Sequence, residues 1–323
     1  MKWTFKRIPA MRAMFRRSLA LAAAGLLIGL SPSLVSAVEI RFEKVTEGVY
    51  VHVGDLGGRT KDNEALNTNI GLVVTPAGAV LIDSGATYLS ARDIDQAARR
   101  VSSQPVRWVI NTGGQDHRWL GNAYFQAQGA ELIAHASAVP DMRARAGDQL
   151  QALQSLLGPR VEGTRPVYPD RLIATADARL DLGGTRVELR HRGGGHTPGD
   201  LIVWLPERDV VFTGDIVYTE RLLAVLPVSR TRPWLDAFGV VEAINPRWLI
   251  PGHGRPSDLV TARQHTRNYL QALRAHMKQA VDDMQEIGAA IRSFDLKPFL
   301  SLHNAAELHP GNASRVYLEI ERE

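Results

Sequence analysis

The chain has 323 residues, 45% hydrophobic and 22% charged, with no cysteine. It is long enough to bury a core without disulfide staples, and any metal site must use His, Asp or Glu. The formal charge of +4 is concentrated at the start: Lys2, Lys6, Arg7, Arg12, Arg16 and Arg17 precede residue 38 and no acid does, so the body carries 32 basic against 34 acidic residues, which argues against a nucleic-acid footprint.

Residues 1–37 read as a secretory signal. A basic segment ends at Arg17, the apolar run SLALAAAGLLIGL follows, and small Val35 and Ala37 are placed for cleavage before Val38. The run of 13 residues falls short of the roughly 20 needed to span a bilayer. The expectation is a periplasmic or secreted protein with no stable membrane anchor after cleavage. Arg16-Arg17 followed by Ser-Leu is a weak twin-arginine signal, and the Sec route is equally open.

The alternation from Val38 to Val53 predicts two short strands with a turn at Glu47-Gly48. Two apolar strands follow, Ile70–Thr75 and Ala79–Asp83, around a Pro-Ala-Gly turn. Tyr88 to Val101 has helical spacing, VRWVIN reads as a strand, Ala123 to Gln128 as a short helix and AELIAH as another strand. Met142 to Leu157 reads as a helix. After a linker at Pro159 to Asp170, strands resume with RLDLGG, TRVELRHR, DLIVWLPE and DVVFTGD. A helix from Trp234 to Ile244 leads into RWLIPGHG. Leu270, Leu273, Met277, Val281, Met284, Ile287 and Ile291 then predict one long amphipathic helix, and the tail NASRVYLEIERE a final strand. Strands and helices occur in two successive rounds, which points to two similar halves packed sheet on sheet, with helices outside.

Four loops carry candidate chemistry. GGGHTPGD offers His196, FTGD offers Asp215 and PGHG offers His253, each beside glycine, which lets the backbone turn sharply at a ligand. The fourth, NTGGQDHRWLGN, offers Asp116, His117 and Arg118. Together with LIDSG at Asp83, this ordered set resembles the metallo-β-lactamase superfamily over roughly Val38 to Glu323. The resemblance implies an α+β fold, a four-layer αββα sandwich in a single domain. It also implies that His196 and His253 are metal ligands, that Asp215 is the metal-bridging carboxylate, and that Asp83 braces the active-site loop.

The first metal loop departs from the pattern of the resembled family, Asn-Thr-His-x-His-x-Asp-His-x-x-Gly-Asn. Asn111-Thr112 and Gly121-Asn122 match. Read without a gap, Gly113 and Gln115 replace two histidines, and His117-Arg118 replaces Asp-His; with a one-residue slip, Asp116-His117 supplies the pair. In either register the first metal loses two ligands. The expectation is therefore one zinc held by His117, Asp215 and His253, with Asp116 or His196 as a fourth ligand. A metal-bound hydroxide would hydrolyse a small ester, thioester or lactam-like molecule, with Arg118 or the metal holding the oxyanion and Asp116 as general base if it is not a ligand. His191 reads as a rim residue. Trp119 either lines a substrate cleft or packs into the sandwich. ERLLAVLP after the Asp215 loop is an apolar lid or packing, and Arg190, Arg192, Arg230 and Arg232 flank the loops, where they either favour an anionic substrate or are solvated surface. The remaining histidines read as core-edge or surface groups. Partners are a small-molecule substrate and an unidentified periplasmic protein. The rival expectation is a catalytically silent binding or accessory protein that kept the fold and lost the metal.

Overall fold

The computed structural model describes residues 38–323; the expected signal, residues 1–37, lies outside the described residues. The first half begins with two hairpins, β1 (Glu43–Thr46) with β2 (Val49–His52) and β3 (Ile70–Thr75) with β4 (Gly78–Ile82). Helix α1 (Tyr88–Val101) carries the chain to β5 (Val106–Ile110), and Thr87 and Ser90 cap it reciprocally. Short α2 (Asp116–Trp119) and α3 (Asn122–Ala127) precede β6 (Glu131–His135), α4 (Ala138–Leu157) and β7 (Arg171–Ile173). These strands form a seven-stranded sheet in sequential order, antiparallel from β1 to β4 and parallel from β4 to β7.

The second half supplies β8 (Asp177–Asp181), β9 (Arg186–Arg190), β10 (Ile202–Leu205), β11 (Val210–Phe212), α5 (Thr231–Ile244) and β12 (Trp248–Ile250). Its five-stranded sheet runs β12-β11-β10-β9-β8, with only the β11–β12 pair parallel. Helices α6 (Leu259–Ala262), α7 (Asn268–Asp282), α8 (Ile287–Ser293) and α9 (Ala305–Ile320) close the chain.

Strand alternation explains the layers, because successive side chains point to opposite faces. Val73, Val80, Ile82 and Ile110 of the first sheet meet Leu189, Val203, Phe212 and Ile250 of the second in one buried cluster. The opposite faces pack on helices: Leu72, Leu81 and Val109 against Ile94 and Phe125, and Val211 and Leu249 against Phe238, Leu270 and Val316. Each such aliphatic side chain contributes about 1.5–3 kcal/mol on full burial. The result is a helix–sheet–sheet–helix sandwich.

Two expectations need correction. The tail is helix α9, not a strand. Val316, Leu318 and Ile320 alternate like a strand, but Leu318 is 37% exposed while Val316 and Ile320, four apart, are buried with Ala313, so the face follows helical spacing. The long helix is broken after Asp282: Met284 has φ of 54° and is 89% exposed, and Glu286 caps α8 by accepting from the amides of Gly288 and Ala289. Of the two readings of ERLLAVLP, packing is the one observed: Leu222, Leu223 and Val225 are buried with α7.

Candidate metal centre

The loops following β4, β5, β11 and β12, with the β9–β10 loop, converge on one edge of the sandwich. Parallel neighbours β4–β5 and β11–β12 deliver their carboxyl ends to the same side. Asp83 follows β4, His117 sits on α2 after β5, His196 lies between β9 and β10, Asp215 follows β11, and His253 follows β12.

Asp215 is the hub. The Arg118 guanidinium donates to both its oxygens, from Nε to Oδ2 at 3.1 Å and from Nη2 to Oδ1 at 2.6 Å. Nη1 donates to Asp83 Oδ2 at 2.7 Å, and Nη2 reaches the Gly252 carbonyl at 3.3 Å. A Cβ on residue 252 would lie 2.5 Å from that Nη2, so glycine is what lets the guanidinium in. Asp83 also accepts from the Thr112 amide at 2.7 Å and hydroxyl at 2.8 Å, with φ held at 69°, a conformation a non-glycine residue keeps only where its surroundings impose it. Burial pushes the Asp83 carboxyl up to about 6 against the pull of Arg118. Burial acts upward on Asp215 too, but the Arg118 guanidinium outweighs it and holds that carboxyl well below the usual range. Arg118 is only 1% exposed and all three of its nitrogens are engaged. The expected role of presenting an oxyanion hole to substrate therefore has no geometric basis. It neutralises the hub from below.

Three imidazoles face Asp215. His253 Nε2 stands 3.2 Å from Oδ1; His196 Nε2 and His117 Nε2 stand 3.8 Å and 3.9 Å from Oδ2. His253 Nδ1 meets the Asn67 carbonyl at 2.7 Å and His196 Nδ1 the Ala224 carbonyl at 2.9 Å. A carbonyl only accepts, so both Nδ1 atoms carry hydrogen and both Nε2 atoms offer lone pairs, the arrangement of metal-ligating histidine. Burial pulls His253 down to about 4, so it is neutral at pH 7, and two acceptors then face each other across 3.2 Å with no proton between them. That contact calls for a cation: two ligands at about 2.0–2.1 Å from a tetrahedral zinc lie about 3.3 Å apart.

His117 differs. Its Nδ1 lies 3.1 Å from Arg59 Nη2, a group that only donates, so the proton of the neutral ring sits on Nε2. That atom is buried without a hydrogen-bond partner. His117, Asp215 and His253 nevertheless bring ligand atoms within 4.8 Å of one another. A carboxylate offers about four acceptor positions and Arg118 uses two, so the residues present fit one cation. His117 joins as a ligand only when Arg59 gives up Nδ1.

Asp116 is not in this cluster. The α2 turn directs one of its oxygens to Arg59 and the other to the His117 amide at 2.8 Å, on the Nδ1 side of the ring. His196, not Asp116, is thus the group nearest to a fourth ligand. His191 stacks on His135 at 3.6 Å between centroids, away from the hub. Trp119 is fully buried, stacked on Tyr168 and donating from Nε1 to Gln149 Oε1 at 3.2 Å; it packs and lines no cleft.

The loop that lost its histidines has other supports. Arg145 donates to Gln115 Oε1 at 3.0 Å and to the Gly114 carbonyl at 2.9 Å, and Gln149 donates to the same carbonyl at 3.0 Å. A Cβ on Gly113 would stand 2.8 Å from Asp200 Oδ1 and 3.0 Å from Thr197 Oγ1, so those side chains fill the space a larger residue at 113 would need. The sequence reading missed Arg59, Arg145 and Gln149. Arg59 lies between glycines and a threonine in GGRT, a stretch with no motif, and the two α4 residues read as an ordinary polar helix face.

An αββα sandwich with a His/His/His/Asp cluster at its loop edge defines a metallohydrolase-like class. The Metallo-beta-lactamase superfamily profile matches residues 63–253, and the chain belongs to that superfamily. It is 24% identical over 227 residues to a metallo-beta-lactamase type 2 of Bacillus sp. (strain 170), covering 68% of this chain and 78% of the relative. A type 2 enzyme of Elizabethkingia meningoseptica is 22% identical over 244 residues, 74% of this chain and 88% of that protein. Among solved structures, a metallo-beta-lactamase from Pontibacter korlensis superposes with a TM-score of 0.58 at 23% identity, over 72% of this chain and 99% of its own. The stereoselective inverting sec-alkylsulfatase Pisa1 from Pseudomonas sp. superposes with a TM-score of 0.66 at 17% identity, over 86% of this chain and 50% of its own.

Proposed function

We propose that this chain is an exported metal-dependent hydrolase that holds one zinc ion and cleaves a small ester-, thioester- or lactam-like bond. The observation that carries the reading is the 3.2 Å approach of His253 Nε2 to Asp215 Oδ1 while His253 Nδ1 is committed to a carbonyl. Asp215 and His253 would hold the ion, with His196 and His117 beside them. When bound, such an ion acidifies water and polarises a carbonyl oxygen.

The chain's own groups set the stage for that chemistry. The Asn67 and Ala224 carbonyls fix the rings of His253 and His196, and Tyr218 stacks on His253 at 4.7 Å. Arg118 and Asp83 fix the Asp215 plane. Asp116 keeps Arg59 against His117, whose Nε2–H then points into the cluster as a donor towards developing negative charge.

Metal analysis of the purified protein, paired with an ester, thioester and lactam panel, tests this. About one zinc per chain, with turnover abolished by chelation and restored by zinc, is the expected result. No zinc after zinc-replete refolding would instead support a silent binding protein. The neutralisation of Asp215 by Arg118 favours that second reading, because it leaves the carboxylate less negative charge to attract a cation.

A further inference from the structure

The helical layer outside the second sheet carries one local irregularity. Between α6 and α7 the helix widens into a π turn over Arg263–Arg267, a form that is rare and often sits at functional sites. Two neighbouring side chains of this turn bond one short stretch of backbone after Asp215. Thr266 Oγ1 accepts from the Tyr218 amide at 2.9 Å and donates to the Tyr218 carbonyl at 2.6 Å. His265 Nδ1 accepts from the Glu220 amide at 3.2 Å. Consecutive side chains of a regular α-helix point about 100° apart, and the wider turn narrows that angle. Thr266 is fully buried, so its hydroxyl closes both backbone groups of Tyr218 without help from water.

The gripped stretch lies against His253. Tyr218 and His253 form a parallel bridge, the Thr219 amide donates to the His253 carbonyl at 2.9 Å, and the Gly252 amide donates to the Val217 carbonyl at 2.9 Å. Glu220 ends the stretch with φ of 61°, a conformation that a non-glycine residue keeps only where its surroundings impose it. The His265 contact and a bond from the Arg255 amide to Glu220 Oε2, 2.9 Å, impose it here. The His253 imidazole itself has two restraints away from Asp215: the Nδ1–H bond to the Asn67 carbonyl, and the face of the Tyr218 ring at 4.7 Å and 14°. One hydrogen bond leaves a ring able to tilt about it. The stacked face removes that freedom only as long as Tyr218 is itself fixed.

We propose that the π turn is the positioning element of the metal centre: Thr266, with His265 beside it, fixes Tyr218 so that the His253 imidazole keeps Nε2 on Asp215. The ring restraint holds without the hydrolase reading above; its consequence for zinc rests on that reading.

Histidine-selective nitrogen-15 NMR of the purified, chelator-treated chain reads the ring directly. The His253 Nδ1–H, assigned by its loss in His253→Gln, should exchange with water about tenfold or more faster in Thr266→Val than in the parent, because two buried backbone groups lose their partner. Thr266→Ser, which keeps the hydroxyl, should restore the parent rate. Gln149→Ala, which strands a buried group elsewhere, should exchange as the parent does and so controls for general loss of stability. If Thr266→Val does not fold, His265→Leu, which removes the Glu220 contact alone, decides by the same comparison. Exchange unchanged from the parent, or quickened equally in Gln149→Ala, overturns the proposal. Competition for zinc against a chelating dye then separates the two readings, with Thr266→Val expected to bind about tenfold or more weakly than the parent. Faster exchange in Thr266→Val with no zinc bound by the parent sinks the hydrolase and keeps the positioning role. Zinc bound by the parent and equally by Thr266→Val, with exchange unchanged, sinks the positioning role alone.

Discussion

His253 and His117 face the same carboxylate from two loops, and the loops are held by different things. The His253 loop is organised around ligand geometry: Nδ1 tied to a carbonyl, the ring stacked on Tyr218, and Nε2 directed at Asp215. The His117 loop is organised around polar side chains that need no metal. Arg145 and Gln149 of α4 tie Gly114 and Gln115, and Arg59 occupies Nδ1 of His117. The His253 side brings ligand atoms together as a cation site would. The His117 side is tied by side-chain hydrogen bonds.

The sharpest way to break this contrast is Asp215→Asn. It removes a charge on which Arg118 and the histidines all converge, and leaves a buried guanidinium with Asp83 alone. Losing one partner of a buried pair costs about 3–5 kcal/mol, so urea unfolding should show a loss of that order and zinc content should fall to background. Retention of one zinc per chain by a folded Asp215→Asn protein would remove Asp215 from the hub.

A smaller effect separates the rebuilt loop from the metal half. Gln149→Ala strands the Trp119 indole N–H and takes one of two donors from the Gly114 carbonyl. A stranded buried group costs about 1–3 kcal/mol. Stability should drop by that amount while the zinc content stays as in the parent. Equal loss of zinc and stability would mean the two halves are not independent.

The smallest effect is in acid. Burial, with a contribution from His191, pulls His135 down to about 4, and burial lowers His191 as well. Their folded values lie below the ordinary histidine value near 6.5, so the unfolded chain binds more protons. The stability these rings contribute is complete above about pH 6.5 and is lost as pH falls through 4. Asp200, pushed up to about 7 chiefly by burial, acts oppositely, because its folded form keeps a proton that the unfolded chain releases. Between pH 7 and 4.5 the His135→Gln unfolding midpoint should fall less, or rise more, than that of the parent. An unchanged slope would show that the stacked pair is not what titrates.

Much of the architecture was legible in the chain. Apolar and alternating runs marked the positions of β3 to β6 and β9 to β12, and the glycine-flanked loops carrying His196, Asp215 and His253 follow β9, β11 and β12. Short β7 escaped because Arg171–Ile173 is too brief to show a period. The tail was misread because Val316, Leu318 and Ile320 satisfy a two-residue alternation, while the helical face is completed by Ala305 and Ala313 further back.

Sequence by itself determined which side chains could bind a cation and which faces would be buried, because both follow from residue type and short-range spacing. It could not determine who pairs with whom. Arg118 meets Asp215 across 97 positions, and Arg221 meets the Gly57 carbonyl across 164. A Coulomb or hydrogen-bond partner is chosen by distance after packing, when β11 and β12 have been laid beside each other and α4 has closed over the loop at Gly114. Only the tertiary structure could turn Arg118 from a substrate contact into a buried counter-ion of Asp83 and Asp215.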